Sequence, residues 1–110
     1  MSYCNTGYSV IGRVIEKVTS QIWDQVLRER IITPLGLTHT DTLPEEALMF
    51  RAAVGHVEDE LAPMWMLPRS CGPSGLINST AEDLLTFARM HLDDTGAVDL
   101  STNPASPSIA

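Results

Sequence analysis

Tyr3-Cys4-Asn5-Thr6-Gly7-Tyr8-Ser9-Val10-Ile11-Gly12-Arg13-Val14-Ile15-Glu16-Lys17-Val18 is the stretch whose reading decides the fold. Val10, Ile11, Val14, Ile15 and Val18 recur at the spacing of one face of a 3.6-residue period, which predicts a helix from about Thr6 to Val18 with that face buried. Arg13, Glu16 and Lys17 fall between them and fit the solvent side. The β-branched residues lower intrinsic helix propensity, so packing must supply much of the stability.

Downstream, Trp23, Val26, Leu27 and Ile31 mark one side of a second helix over about Trp23–Ile32. Asp24 and Arg28 are spaced as an i,i+4 pair, worth about 0.3 kcal/mol. Thr33-Pro34-Leu35-Gly36-Leu37 ends this helix, because Pro34 biases Thr33 away from helix and Gly36 favours a turn. Pro44 followed by Glu45 and Glu46 predicts a short helix, and Ala52–Val57 a short strand. Pro63 to Pro68, with Trp65 between two methionines, reads as an irregular buried loop. Gly72-Pro73-Ser74-Gly75 reads as a tight turn. Thr80 with Asp83 resembles a capping box that opens a third helix to about Leu92, whose buried stripe is Ala81, Leu84, Leu85, Ala88 and Leu92. Asp93 to Ala110 has no periodicity and is rich in Ser, Thr, Pro and Asp, so it is expected to be a disordered tail. The organisation expected is a mainly α region over 1–92 and a tail over 93–110.

The chain has 110 residues, enough for one modest domain. With 7 basic and 14 acidic side chains its formal charge is −7. That balance argues against nucleic acid, which needs clustered Lys and Arg; Lys17 is the single lysine and the arginines are scattered. Asp41, Glu45, Glu46, Glu58, Asp59 and Glu60 stand against Arg51 alone and read as a solvated surface stretch. The hydrophobic fraction is 44% and mean hydropathy +0.03, sufficient for a core. Uninterrupted apolar runs are too short to span a bilayer, and no signal peptide is expected. Cys4 and Cys71 make no disulfide framework, and the cysteines and His39, His56 and His91 lack the spacing of metal ligands, so no metal or other cofactor is expected.

A Tyr and an Asn two residues apart at a helix start can project their tips the same way. A phenol shuttles a proton when neighbouring cations lower its pKa from about 10. An amide both donates to and accepts from a substrate amide. Tyr3-Cys4-Asn5 with the Gly7-Tyr8-Ser9-Val10-Ile11-Gly12 that follows resembles the serine β-lactamase-like family, which includes class C β-lactamases, D-alanyl-D-alanine carboxypeptidases and related esterases. Three further stretches resemble it in the same order: Trp23 through Pro34-Leu35-Gly36-Leu37, Ala53-Val54-Gly55-His56, and Gly72 through Leu92. The resemblance implies the helical portion of an α+β domain, with little of its sheet present and the active site between the two parts. It implies Tyr3 as general base or proton shuttle and Asn5 as a contact to the substrate's amide carbonyl. Substrates of the parent would be β-lactams, peptides or esters, hydrolysed through an acyl-serine.

The family's Ser-x-x-Lys is absent from these residues, because Val14 stands three before Lys17. Lys-Thr-Gly is absent too, since Val18-Thr19 follows Lys17, and His39-Thr40-Asp41 is no His-x-Gly variant. Loss of such a nucleophile costs on the order of 10⁶ in rate in serine hydrolases, so the chain alone is expected to be inactive. The family also has Gly-x-Ser/Thr where this chain has Ser20-Gln21-Ile22. A left-handed non-glycine costs about 1 kcal/mol, and a missing hydroxyl cap about as much.

Simpler roles stand beside these. Tyr3 fits a frayed end, and Asn5 fits an N-cap for the first helix. Ser74 is a turn residue, since Leu76 breaks Gly-x-Ser-x-Gly. His56 fits a packing or surface role, and Trp23 and Trp65 fit core anchors. Cys4 sits near a helix N-terminus with no partner His placed by sequence. The alternative to a piece of a serine hydrolase is a non-catalytic helical binding module that docks a partner, or self-associates, through an exposed apolar face.

Overall fold

A helix that turns its small, polar side inward organises the chain. The computed structural model describes residues 2–63 and 67–93. The elements are helix α1 (Asn5–Thr19), α2 (Trp23–Leu27) continuing as a π-helical turn over Arg28–Ile32, the short α3 (Pro44–Ala47), strands β1 (His56–Val57) and β2 (Glu60–Leu61), a 3₁₀ turn (Arg69–Cys71) running into α4 (Gly72–Gly75), and α5 (Ala81–Leu92). The architecture is mostly helical, as the sequence implies. The one sheet among the described residues is the antiparallel hairpin β1–β2, with His56 opposite Leu61 and Val57 opposite Glu60.

The expected apolar face of α1 is exposed: Val10, Ile11, Val14 and Val18 all lie open, and Gly12 is the helix's buried residue. Ser9, Gly12 and Glu16 instead face the rest of the chain. The Ser9 hydroxyl donates to Ser74 Oγ at 3.3 Å, and Ser74 donates to the Cys71 carbonyl at 2.9 Å. Gly12 lies against the Pro73 ring, where an added Cβ would come within 2.9 Å of Pro73 Cβ. On the other side of α4, a Cβ on Gly72 would come within 2.8 Å of Trp23 Cζ3, so the indole of α2 rests on bare backbone.

Ser20 takes the left-handed conformation at φ 57° that ends α1. Ile22 occupies the N-cap of α2 and supplies no side-chain bond. Glu16 compensates by accepting from the Trp23 N–H at 3.3 Å. Arg13, which donates to Glu16 at 2.8 Å, and that N–H hold the Glu16 carboxyl below its usual range.

After Leu27 the hydrogen bonds lengthen to i→i+5: Thr33 N donates to Arg28 O and Leu37 N to Ile32 O, both at 2.9 Å. A π turn inserts one residue and rotates the face that follows. Ile32 is therefore buried where the α period expects Ile31. Gly36, at φ 66°, makes the left-handed turn that Pro34 and Gly36 predict. Among the described residues, the buried apolar side chains are Val26, Ile32, Leu37 and Ala47.

The predicted Asp24–Arg28 pair does not form. Asp24 pairs with Arg69, and Arg28 forks onto both Glu46 oxygens at 2.7 and 2.9 Å. Glu46 and Asp41 are thus exceptions to the solvated acidic stretch. Asp41 is buried and exchanges backbone bonds of 3.0 and 2.9 Å with Asn78. Burial raises its pKa, and the Asn78 amide partly opposes that rise.

Thr80 caps α5 by accepting from Asp83 N at 3.3 Å. Asp83 does not reach back to complete the box. Its carboxylate instead accepts from His39 N and the Thr40 hydroxyl, each at 2.8 Å. Asp83 is consequently the buried residue of α5, while Leu84, Leu85 and Leu92 of the expected stripe are 60, 58 and 83% exposed. Ala81 and Ala88 are exposed as well.

The strand expected over Ala52–Val57 shrinks to β1, because only Gly55 O extends the pairing, accepting from Ala62 N at 2.9 Å. Gly72–Gly75 forms a single helical turn, not an open tight turn. Of the loop expected to be buried at Pro63–Pro68, Pro63, Leu67 and Pro68 are exposed; Trp65 and its two flanking methionines lie outside the described residues. So does the expected tail from residue 94 onward.

The close approach of α1 to α4 predicts that Gly12→Ala destabilises by about 1–3 kcal/mol through overpacking. Gly7, in the same helix, has nothing within 4 Å of an added Cβ, so Gly7→Ala stabilises by about 0.5–1 kcal/mol. Urea unfolding of the two variants measures both shifts, whose opposite signs exclude a general helix effect.

Candidate active-site element

The backbone enters α1 through Cys4, the N-cap, in extended conformation (φ −149°, ψ 119°). Its carbonyl accepts from Gly7 N at 3.2 Å and starts the first turn. Asn5 is therefore the first helical residue and not the cap expected for it. The Cys4 side chain forms no full capping hydrogen bond. Tyr3 stands just outside the helix, 77% exposed, its ring centroid 5.8 Å from that of Tyr8 and tilted by 47°. Tyr3 and Asn5 thus sit together at the N-terminus of α1 and are open to solvent.

What positions them lies one to three turns along. The Ser9–Ser74–Cys71 chain, the Gly12–Pro73 contact and the Glu16–Trp23 bond fix α1 against α4 and α2. Glu16 was legible only as a surface residue, since nothing in its spacing reveals a bond to the next helix. Ser74 lies in the helical turn α4, its hydroxyl accepting from Ser9 and donating to the Cys71 carbonyl. A groove of about 680 Å³ runs along this junction; Thr6, Ser9, Glu16 and Trp23 line it, and Tyr3 and Asn5 do not.

Of the other candidates, His56 is on the exposed hairpin, with Nδ1 3.1 Å from Val54 O, in the surface role expected. Trp23 anchors α2 on Gly72. Among the described residues no three His, Cys, Asp or Glu side chains gather as a metal site, and no helix is long and apolar enough to cross a membrane. The Cys4 thiol lies below its ordinary pKa because the Gly7 amide, then the Thr6 hydroxyl and amide, favour the thiolate at the positive end of α1.

A helix of this kind, entered through Tyr-Cys-Asn and followed by the Pro34–Leu37 turn and the Gly72–Gly75 and α5 segment, defines a class. The Beta-lactamase family model matches residues 1–107, and the chain belongs to that family. It is 54% identical over 105 residues to Penicillin-binding protein 4 of Amycolatopsis lactamdurans, an alignment covering 90% of this chain and 28% of that protein. It is 32% identical over 99 residues to Protein Rv1367c of Mycobacterium tuberculosis, covering 82% of this chain and 24% of the other. Its fold matches part of the octameric penicillin-binding protein homologue from Pyrococcus abyssi at TM-score 0.67 and 25% identity, covering 94% of this chain and 22% of that one. The chain therefore spans about a quarter of the length of the relatives it matches.

The environment of Cys4 gives a direct test. In a Cys71→Ser background, the pH midpoint of iodoacetamide alkylation falls below the value of about 8.5 for free cysteine, and Thr6→Val moves it upward. A midpoint at or above the free value contradicts the assignment.

Proposed function

We propose that this chain carries the Tyr-x-Asn element of an acyl-serine hydrolase of the β-lactamase and penicillin-binding type, and that it does not turn over substrate by itself. The observation that supports this is the placement of Tyr3 and Asn5 together, solvent-facing, at the start of a helix anchored by its far side. In the complete domain Tyr3 accepts and returns the proton that the serine hydroxyl loses and the leaving group gains. Asn5 donates its amide N–H to the substrate's amide carbonyl. The substrate is a β-lactam, a peptide or an ester, since each presents an acyl carbon to the serine.

The serine and its lysine are the parts these residues do not contain. Tyr3 cannot replace them, because a base acts only on a nucleophile held within hydrogen-bond reach.

The chain is tested alone and as a chimera in which it replaces the matching segment of Penicillin-binding protein 4. Alone, it hydrolyses a chromogenic cephalosporin and a p-nitrophenyl ester no faster than its Tyr3→Phe variant. In the chimera, a fluorescent penicillin acylates the protein, and Tyr3→Phe slows acylation by about 10²–10⁴-fold. Turnover by the chain alone above Tyr3→Phe, or acylation of the chimera indifferent to Tyr3, contradicts the proposal.

A further inference from the structure

Tyr3 stands where the backbone does least to hold it. It precedes the extended Cys4 N-cap, lies outside the hydrogen-bonded turns of α1 and is 77% exposed. The Cys4 side chain makes no full capping bond there. Counted from Cys4, Asn5 is the first helical residue, Tyr8 the fourth, and Tyr3 the residue before the cap. Apolar side chains at those two positions, before the cap and fourth in the helix, pack as a hydrophobic staple that fixes the angle at which the chain enters. The Tyr3 and Tyr8 rings meet in this way, with centroids 5.8 Å apart and planes tilted by 47°, within the range of a favourable aromatic pair. Helical side chains lean toward the N-terminus, which carries the Tyr8 ring back over the first turn to Tyr3.

We propose that Tyr8 is a positioning residue for Tyr3: its ring staples the Tyr3 ring to the start of α1 and so sets where the phenol oxygen stands relative to Asn5. The inference rests on the Tyr-x-Asn reading above and adds the group that holds the tyrosine in place. Asn5 is placed by the helix backbone, whereas Tyr3, outside it, takes its direction from the ring contact. Tyr8 in turn neighbours Ser9, whose hydroxyl bonds to Ser74 of α4, so the staple is set on a turn tied to the rest of the chain. A proton shuttle acts only within hydrogen-bond reach of the group it serves, so a residue that aims the phenol controls the rate without touching substrate. The contact uses the ring of Tyr8 and not its hydroxyl, so phenylalanine serves equally.

The test is a double-mutant cycle in the Penicillin-binding protein 4 chimera, read by acylation with the fluorescent penicillin. Tyr8→Ala slows acylation by about 10–10²-fold, the cost of misplacing a reacting group by about an ångström. Tyr8→Phe, which keeps the ring, stays within about twofold of the unsubstituted chimera. In a Tyr3→Phe background, where the phenol hydroxyl is already gone, Tyr8→Ala slows acylation by less than about twofold more. A merely structural loss would multiply through in both backgrounds. In the unsubstituted 110-residue chain, nuclear Overhauser contacts join the Tyr3 and Tyr8 ring protons, a readout that needs no variant to fold.

Equal slowing by Tyr8→Ala with and without the Tyr3 hydroxyl overturns the proposal, as does acylation unchanged by Tyr8→Ala; the catalytic reading of Tyr3 stands in both cases. A loss on Tyr8→Phe as large as on Tyr8→Ala also overturns it and assigns the effect to the Tyr8 hydroxyl. Absence of the ring–ring contacts overturns it whether or not Tyr8→Ala folds. Acylation indifferent to Tyr3→Phe removes the catalytic reading and this inference together.

Discussion

Two approaches of backbone to ring hold the helices in place: Gly12 of α1 against Pro73, and Gly72 of α4 against the Trp23 indole. Each needs a residue without a Cβ, and each joins segments some fifty to sixty positions apart in sequence. Because α4 lies between them, the two contacts also set α1 relative to α2. The Ser9–Ser74 and Glu16–Trp23 hydrogen bonds then lock the rotation of α1 about its axis.

That rotation has a consequence for both halves of the molecule. It sends the apolar stripe of α1 outward and leaves a small buried core of Val26, Ile32, Leu37 and Ala47. Much of the remaining cohesion is polar. Asp41 with Asn78, and Asp83 with His39 and Thr40, tie the segment after α2 to the start of α5. A buried carboxylate is stabilised by the donors that face it, and Asp83 Oδ2 accepts from both the His39 amide and the Thr40 hydroxyl. Such an arrangement suits a unit that presents its apolar surface to other parts of a domain.

Much of the local structure was legible because it depends on short-range chemistry. The span of α1, the Pro34–Gly36 turn, the Pro44 start of α3 and the Thr80 cap follow from residues a few positions apart, whereas the left-handed Ser20 was implied by the family resemblance. The family was legible from the order of its motifs. The burial of the helices was not. Periodicity identifies an apolar face but not whether its partner is present, so Val14 and Leu85 read as core and are exposed. The π turn that substitutes Ile32 for Ile31, and the ion pairs Arg28–Glu46 and Asp24–Arg69, depend on neighbours distant in sequence. At the candidate site, Tyr3 and Asn5 were legible as residues, whereas Cys4 as N-cap, and Ser9, Ser74 and Glu16 as the anchors behind them, emerge only from the fold.

The orientation of α1 is the claim on which the rest turns, and nuclear Overhauser contacts measure it directly. The account predicts strong contacts from the Gly12 α protons to the Pro73 ring and from the Gly72 α protons to the Trp23 indole, with none from the Val14 methyls to either ring. Contacts from the Val14 methyls to Pro73 or Trp23 would contradict it, because α1 would then turn its apolar face inward.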